Sequence, residues 1–352
     1  MPVDVILSAA TCFTIAFGAC LAASSLVKRT GIVDAPDGVR KQQAVAVPRL
    51  GGVAIAAGTF VGGLLGFIAL YVLRDGALAA NLAEISAAAM TLVSANTPLL
   101  ILVAGAFVLG LWDDIWTANT KLKLLILGGI SLGAATFGLI PNALTSPWGE
   151  VSMPLILIIG SAAWLLVFAN AVNFVDGSNG LAVGSLAIMM AGLAVTGTVS
   201  GTWEFSILWF ALFGSIAGFL IQNLRGKLYA GDAGALGLGA LFGGLGLISG
   251  LDVWTIATLA LPFLVDVLMT LIWRAKRGRN WLEPHTDHAY QRLIASGWRH
   301  LDVAILYWGL SATAAAMAYI AARGGGAAPF VVFCGLWIAG MVLWVRHLRS
   351  TE

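Results

Sequence analysis

The sequence predicts an all-α polytopic membrane protein of about eleven transmembrane helices, with its N-terminus outside and its functional polar residues on the inner face. Three observations support this. First, 59% of the 352 residues are hydrophobic, only 10% are charged, and the mean hydropathy is +0.93. A soluble domain carries about 25% charged residues, so this chain has too few to cover its own surface in water. Second, apolar runs of about 20 residues, the length that crosses a bilayer, recur from end to end. No polar stretch is long enough for a separate soluble domain, and residues 1–352 read as one integral membrane domain. Third, if the N-terminus is outside and the spans alternate, all of the 19 Lys and Arg residues except Arg74 and Arg323 fall on the inside. Basic residues favour the cytoplasmic side, and one span more or fewer would scramble that asymmetry.

The spans must be helical, because lipid offers no partners to free backbone N–H and C=O groups. They run in order over Val5–Val27, Gly51–Leu73, Leu92–Trp112, Leu122–Ile140, Val151–Phe168, Leu181–Val199, Trp203–Leu220, Ala233–Ile248, Val253–Trp273, Val303–Ala322 and Ala328–Val345. In the first, Lys28 and Arg29 follow the apolar run and no basic segment precedes it, which reads as a retained span and not a signal peptide. The frequent glycines let membrane helices approach closely. Cys12, Cys20 and Cys334 lie inside apolar runs, without zinc-site spacing or a disulfide framework, and read as small lipid-facing or packing residues.

The inside connections are then residues 28–50, 113–121, 169–180, 221–232 and 274–302, and each holds a polar cluster. The first contains Asp34-Ala-Pro-Asp-Gly-Val-Arg40-Lys41 and ends in Pro48-Arg49-Leu-Gly51-Gly52; its cations suit phosphates, although they also satisfy the positive-inside rule. The second is Trp112-Asp113-Asp114. Adjacent carboxylates repel unless a cation or proton offsets them, and Mg2+ takes few carboxylates together with water and phosphate oxygens. Solvated boundary residues are the plain alternative, with Lys121 and Lys123 nearby. The third, Asn170-Ala-Val-Asn173-Phe-Val-Asp176-Gly-Ser-Asn179-Gly-Leu181, repeats a polar residue every third position, near one helix face. A turn accounts for Asp176 to Gly180 but not for Asn170 and Asn173. The fourth, Tyr229-Ala-Gly231-Asp232-Ala-Gly234, sets one acid between glycines at a helix start, suited to a ligand or to an N-cap. The fifth holds Arg274, Lys276, Arg277 and Arg279, then Pro284-His285-Thr-Asp287-His288-Ala-Tyr290-Gln291-Arg292. His285 and His288 are three apart and suited to one helical face; with no further soft ligands nearby they read as phosphate or sugar contacts, not a zinc site. Asp266 lies within an apolar span, about 10 Å along the helix from Trp273; such a residue faces a polar cavity or bonds a neighbouring helix.

Taken together, these motifs resemble the polyprenyl-phosphate N-acetylhexosamine-1-phosphate transferases, the membrane-type glycosyltransferases of family 4. The likeness runs from Asp34 to Arg292 through five motifs in matching order. It implies ten or eleven spans, a periplasmic N-terminus, a bacterial inner-membrane location, and a requirement for Mg2+, with Mn2+ an acceptable substitute. Carried over by position, it implies Asp232 and Asn173 as metal ligands and Asp113, Asp114 and Asp232 as the catalytic acids. It further implies Asn170, Asp176, Asn179 and Lys41 at the nucleotide, and Arg40, Arg49, His285, His288 and Arg292 at the sugar and phosphates. Asp266, in Pro262-Phe-Leu-Val-Asp266, resembles the branch acting on UDP-N-acetylhexosamines. Two positions depart from the pattern: Asn179 stands where an Asp is usual, and Asp287 where a third histidine is frequent. The second departure resembles a surface-polysaccharide subgroup.

The implied reaction moves N-acetylhexosamine 1-phosphate from a UDP-sugar to undecaprenyl phosphate, releases UMP and begins a lipid-linked surface polysaccharide. Its partners are the UDP-N-acetylhexosamine, undecaprenyl phosphate and membrane lipid; no nucleic acid is implied, and a homodimer is compatible. A secondary transporter of an anionic substrate is the rival reading. Transporters place their binding residues near the midplane, whereas here they gather at one face.

Overall fold

A computed structural model describes residues 3–35, 46–75, 86, 90–91, 93–197, 206–280, 283 and 285–351. Arg40 and Lys41 lie outside the described residues. Proline and side-chain caps set several helix starts. After α1 (Val3–Val27) and α2 (Gly51–Asp75), α3 (Thr97–Trp116) begins with a proline in its first turn, as does α5 (Pro154–Val175). The proline N–H is not missed there and its φ suits the helix. Between them, Asn119 caps α4 (Thr120–Thr136), its Oδ1 accepting from the backbone amides of Lys121 at 3.0 Å and Leu122 at 3.4 Å. The chain continues through α6 (Leu181–Gly197), α7 (Ser206–Asn223) and α8 (Gly231–Ile248). It then forms α9 (Val253–Leu259), α10 (Leu261–Lys276), α11 (Ala289–Ala295), α12 (His300–Gly324) and α13 (Ala328–Thr351).

Over the described residues, the expected spans coincide for most of their length with a helix or a helix pair, with three corrections. The expected single span Val253–Trp273 is broken: α9 and α10 meet at 79° around Ala260. Pro262 lacks the N–H that a continuous helix needs, and Asp252 caps α9 by accepting from the Trp254 amide at 2.8 Å. Second, the expected connections 113–121 and 169–180 begin later, because Asp113 and Asp114 lie within α3 and Asn170 and Asn173 within α5. Third, the all-α expectation misses two short antiparallel hairpins: β1 (Val33–Asp34) pairs with β2 (Val47–Pro48), and β3 (Leu144–Ser146) with β4 (Gly149–Val151). Among the described residues, six helices are long and apolar enough to cross a membrane, or seven with the bent pair as one span. Shorter apolar helices lie at Gly51–Gly66, Leu181–Gly197 and Leu208–Asn223.

Helix α8 is the centre of the packing. It lies against α2, α3 and α5, and most of its residues are buried. Seven glycines line it from Gly231 to Gly246, so neighbouring backbones come close. The rings of Phe168 of α5 and Phe242 of α8 meet at a tilt deep in the core, with centres 4.8 Å apart. Helices α1, α2 and α7 form a group on one side, while α6 packs on α12. The outermost span is α13, packed on α9, α10 and α12 and exposing Val331, Ile338, Val342 and Leu343.

The crossing of α2 and α8 joins two sequence motifs. A Cβ on Gly52 would run into the backbone of Gly234. Gly52→Ala is therefore expected to destabilise the protein by about 1–3 kcal/mol, the usual cost of overpacking, read as a lower midpoint of thermal unfolding in detergent; an unchanged midpoint would contradict this crossing.

Candidate active site

Asp114 closes the end of α3 onto the start of α8. Its carboxylate is buried and accepts from the backbone amides of Asp232 and Ala233, each at 3.0 Å. These amides belong to the first turn of α8, which has no internal partners for them, and the partial positive charge of a helix start favours an anion there. Arg49 approaches from the other side. Its guanidinium donates to the Asp114 carbonyl oxygen, and its Nε lies 3.9 Å from the Asp114 carboxylate. Gly231 makes the turn possible: its φ is +72°, and a side chain there would strike the Arg49 carbonyl and the Asp114 carboxylate. The Gly51 and Gly52 amides donate to the carbonyls of Tyr229 and Ala230, and the Tyr229 amide to that of Pro48, each at 2.8 Å. The Pro48–Gly52 and Tyr229–Asp232 motifs thus form one unit.

Asp113 turns toward the start of α4. Its carboxylate accepts from the Ala118 amide at 2.6 Å and from Lys123 Nζ at 3.2 Å. The same ammonium donates to Asp232. Asn173 and Asp113 side chains also reach Asp232. Asp113, Asp232 and Lys123 all retain partial exposure. Lys123 is the functional candidate that reasoning from sequence left aside; its signal was a lysine one helical turn into α4, ten residues after Asp113.

Asp176 ends α5, its amide donating to the Asn173 carbonyl at 3.4 Å. Burial, with the negative charges of Asp232 and Asp114 nearby, holds its carboxyl well above the usual carboxylate range. Burial and the charges of Asp34 and Asp176 likewise raise the Tyr229 hydroxyl. Asp34, Asp176 and Tyr229 therefore share one electrostatic neighbourhood. Asn170 is buried and donates through Nδ2 to Leu166 of its own helix at 2.8 Å. Asn179 lies beside the Gly226 turn.

The turn from Asp176 to Gly180 is fixed by residues that no motif contained. Asn223, buried at the end of α7, accepts from the Gly180 amide at 2.6 Å and donates to the Leu228 carbonyl at 2.9 Å. Trp308 Nε1 donates to the Gly180 carbonyl at 2.9 Å, and Ser178 Oγ lies 2.9 Å from His300 Nδ1. Asn223 thereby connects the Asp176 turn to the segment leading into Asp232. As a lone carboxamide at the end of an apolar run, it carried no more signal than a boundary residue.

The histidine segment is organised by Asp266. This buried carboxylate accepts from the Ala289 amide at 2.7 Å, the Tyr290 amide at 3.4 Å and the Tyr307 hydroxyl at 2.6 Å, so it bonds its neighbours. His288 Nδ1 lies 3.6 Å from it. His288 is buried between Phe174 and Tyr290. The two histidines do not share a helical face, because His288 is the cap of α11 and His285 precedes it; their rings meet instead at 4.9 Å. Tyr290 OH donates to the Phe174 carbonyl at 3.0 Å, linking this segment to the end of α5. Arg292 Nε donates to the Asp287 carbonyl at 2.8 Å, and Arg274 pairs with the Asp287 carboxylate.

Among the described residues, no three His, Cys, Asp or Glu side chains are arranged to hold a metal ion. The oxygens of Asp232, Asn173 and Asp113 are hard donors around a point already held by a cation, the Lys123 ammonium. That set fits a hard dication that takes one or two protein carboxylates and draws its remaining ligands from phosphates and water.

A family model, glycosyl transferase family 4, matches residues 96–250, which include the clusters from Asp113 to Asp232 but neither Arg49 nor the histidine segment. The chain is 27% identical over 297 residues to a probable undecaprenyl-phosphate N-acetylglucosaminyl 1-phosphate transferase of Bacillus subtilis, covering 79% of this chain and 74% of that protein. It is 31% identical over 257 residues to a phospho-N-acetylmuramoyl-pentapeptide-transferase of Synechococcus sp. strain RCC307, covering 63% of this chain and 69% of that protein. A second such transferase, from Synechococcus sp. strain JA-3-3Ab, is 30% identical over 223 residues, covering 57% and 64%.

Two substitutions test the framework. Asp114→Asn sets a carboxamide NH2 against two backbone donors and is expected to cost about 1.5–3 kcal/mol. Asn223→Ala leaves the Gly180 N–H and Leu228 C=O unpaired, at about 1–3 kcal/mol, and amide exchange at Gly180 should rise. Unfolding in detergent and hydrogen exchange read both; unchanged protection at Gly180 would contradict the staple.

Proposed function

The chain belongs to glycosyl transferase family 4, the polyprenyl-phosphate sugar-1-phosphate transferases, and on that premise we propose that it transfers N-acetylhexosamine 1-phosphate from a UDP-sugar to undecaprenyl phosphate on the cytoplasmic side of a bacterial inner membrane. The observation that carries this reading is the convergence of Asp113, Asp232, Asn173 and Lys123 at the start of α8. It is a partly open, hard-oxygen site with its own cation, suited to a diphosphate. All these groups sit at helix ends on one side of the fold, and not at mid-span, which disfavours the transport reading.

In the proposed reaction, a phosphate oxygen of the lipid attacks the β-phosphorus of the donor. The bond from that phosphorus to the bridging oxygen breaks, UMP leaves with the electron pair, and a lipid diphosphate sugar is formed. Mg2+, held by Asp232 and Asn173, would supply charge neutralisation on the diphosphate. Lys123 carries a positive charge between Asp113 and Asp232, where it lowers the repulsion between anionic protein groups and anionic substrates. Asp114 stays out of the chemistry in this reading: buried and fully occupied by amides, it positions Asp232. Asp113, anchored by Ala118 and Lys123, is the acid placed to act near the attacking phosphate. That phosphate is already largely anionic at neutral pH, so orientation contributes more than proton removal. Asp176 and Asn179, on the turn stapled by Asn223 and Trp308, are assigned to the nucleotide with Asn170 and Lys41. Arg40, Arg49, Arg292 and the two histidines are assigned to the sugar and phosphates. Arg49 and His288 act there through the groups they hold, since both are engaged within the protein.

Purified protein with undecaprenyl phosphate, Mg2+ and a panel of UDP-N-acetylhexosamines is expected to release UMP only when lipid and metal are both present. EDTA should abolish the release, and Mg2+ or Mn2+ should restore it. Asp232→Asn should lower it about 100-fold or more, the scale of a mispositioned reacting group. Release without lipid, or substrate counterflow in vesicles, would overturn the reading.

A further inference from the structure

Two segments of the candidate site are held by one helix that none of the sequence motifs reaches. Tyr307 and Trp308 are neighbours near the start of α12. Trp308 Nε1 donates to the Gly180 carbonyl at 2.9 Å, at the end of the turn that carries Asp176 and Asn179. Its indole has little freedom to swing aside, because it fills the space over Gly184, where a Cβ would strike it. His300, in the first turn of α12, adds a second hold on the same turn: its Nδ1 lies 2.9 Å from Ser178 Oγ. Tyr307 reaches the other segment. Its hydroxyl donates at 2.6 Å to Asp266, the carboxylate that also accepts from the Ala289 and Tyr290 amides just after His288. Tyr307 and Asp266 are both buried, and a hydrogen bond to a carboxylate shielded from water is among the strong ones.

The two segments also touch each other. Tyr290 OH donates to the Phe174 carbonyl at 3.0 Å, and a Cβ on Gly177 would strike that hydroxyl. The contacts therefore close a ring. It runs from Gly180 through Trp308 and Tyr307 to Asp266, on to Tyr290, and back to the end of α5. In an open series of contacts one member can shift while the others stay. In a closed ring of packed groups a shift in one is passed to the rest, since protein interiors have few voids to absorb it. On the transferase reading, the turn takes the nucleotide and the histidine segment takes the sugar and phosphates. The ring then fixes the spacing between the two ends of the donor, and such preorganisation spares the cost of ordering either segment on binding.

We propose that Tyr307 and Trp308 are positioning residues that hold the nucleotide turn and the histidine segment as one unit, so that a loss at either segment weakens binding at both. The inference rests on the transferase reading for what the two segments bind, and on the hydrogen bonds alone for the link between them.

The test uses the full-length protein in detergent and reads each variant at the segment that the altered residue does not touch. Tyr307→Phe removes one hydroxyl beside the histidine segment, and Trp308→Phe keeps an aromatic ring but removes the donor to Gly180. Tyr307→Phe is expected to speed amide hydrogen exchange in the peptide 176–181, and Trp308→Phe to speed it at Ala289 and Tyr290, each by about fivefold or more, the scale of one lost hydrogen bond. Tyr307→Phe should also weaken inhibition by UMP about five- to tenfold, with the donor KM rising by more than kcat falls, as for a loss of binding common to ground and transition states. Faster exchange confined to the segment that each residue touches would overturn the proposal, as would unchanged inhibition by UMP in Tyr307→Phe. If Tyr307→Phe does not fold, exchange at Ala289 and Tyr290 in Trp308→Phe decides the matter. A wild type that releases no UMP would count against the transferase reading, while the exchange result still decides the link.

Discussion

The site depends on one buried carboxylate. Asp114 has little contact with water and must find its partners inside the protein, because an unpaired buried anion is very costly. It finds them in the first amides of α8 and in Arg49. Those contacts fix three things together: the height of α3 against α8, the turn at Gly231, and the junction between β2 and α2. Asp232, whose amide is one of the donors, cannot move without breaking the arrangement. The adjacent residue Asp113 instead turns toward α4 and meets Asp232 across Lys123. Two neighbouring acids thus do different work, one as a brace and one at the open site.

Small residues make this geometry compatible with a membrane helix bundle. Gly52 meets Gly234, and the glycine face of α8 lets α2, α3 and α5 close around it. With little hydrophobic driving force between helices in lipid, close backbone contact and polar pairs must hold the bundle. The polar pairs lie at the ends of the helices, where backbone amides are unpaired and a carboxylate or carboxamide can satisfy them. Asn223 and Trp308 repeat that solution at Gly180, and Asp266 at the amides of Ala289 and Tyr290. At the bent pair, Asp252 accepts from both Trp254 and Thr145, tying the β3–β4 hairpin to the break. Each side chain converts a necessary helix end into a fixed joint.

Much of this was legible in the sequence. Sustained apolarity fixes the class of fold, since a chain with 10% charged residues suits lipid, and apolar runs of about 20 residues cross lipid as helices. The clusters at Asp113, Asn173, Asp176 and Asp232 stood out because a carboxylate or carboxamide at the end of an apolar run needs a reason to be there. Local spacing failed where contacts are distant. It placed His285 and His288 on one helix face, although α11 starts only after His288, where the distant Asp266 accepts from its first amides. It made one straight span of α9 and α10, although Pro262 was visible, because apolarity continues through the bend.

What the sequence determined by itself is the inventory: which residues are too polar for their surroundings, and at which ends of the apolar runs they collect. What only the tertiary structure decided is their division of labour. Nothing in Asp113-Asp114 says which acid is buried under amides and which shares a lysine, and nothing in Asn223 or Lys123 says that each joins two motifs. Those roles follow from which helix ends meet, and that is set by close packing between segments as far apart in sequence as Gly52 and Gly234. Hydropathy records how each segment partitions into lipid; it does not record which neighbour it will touch.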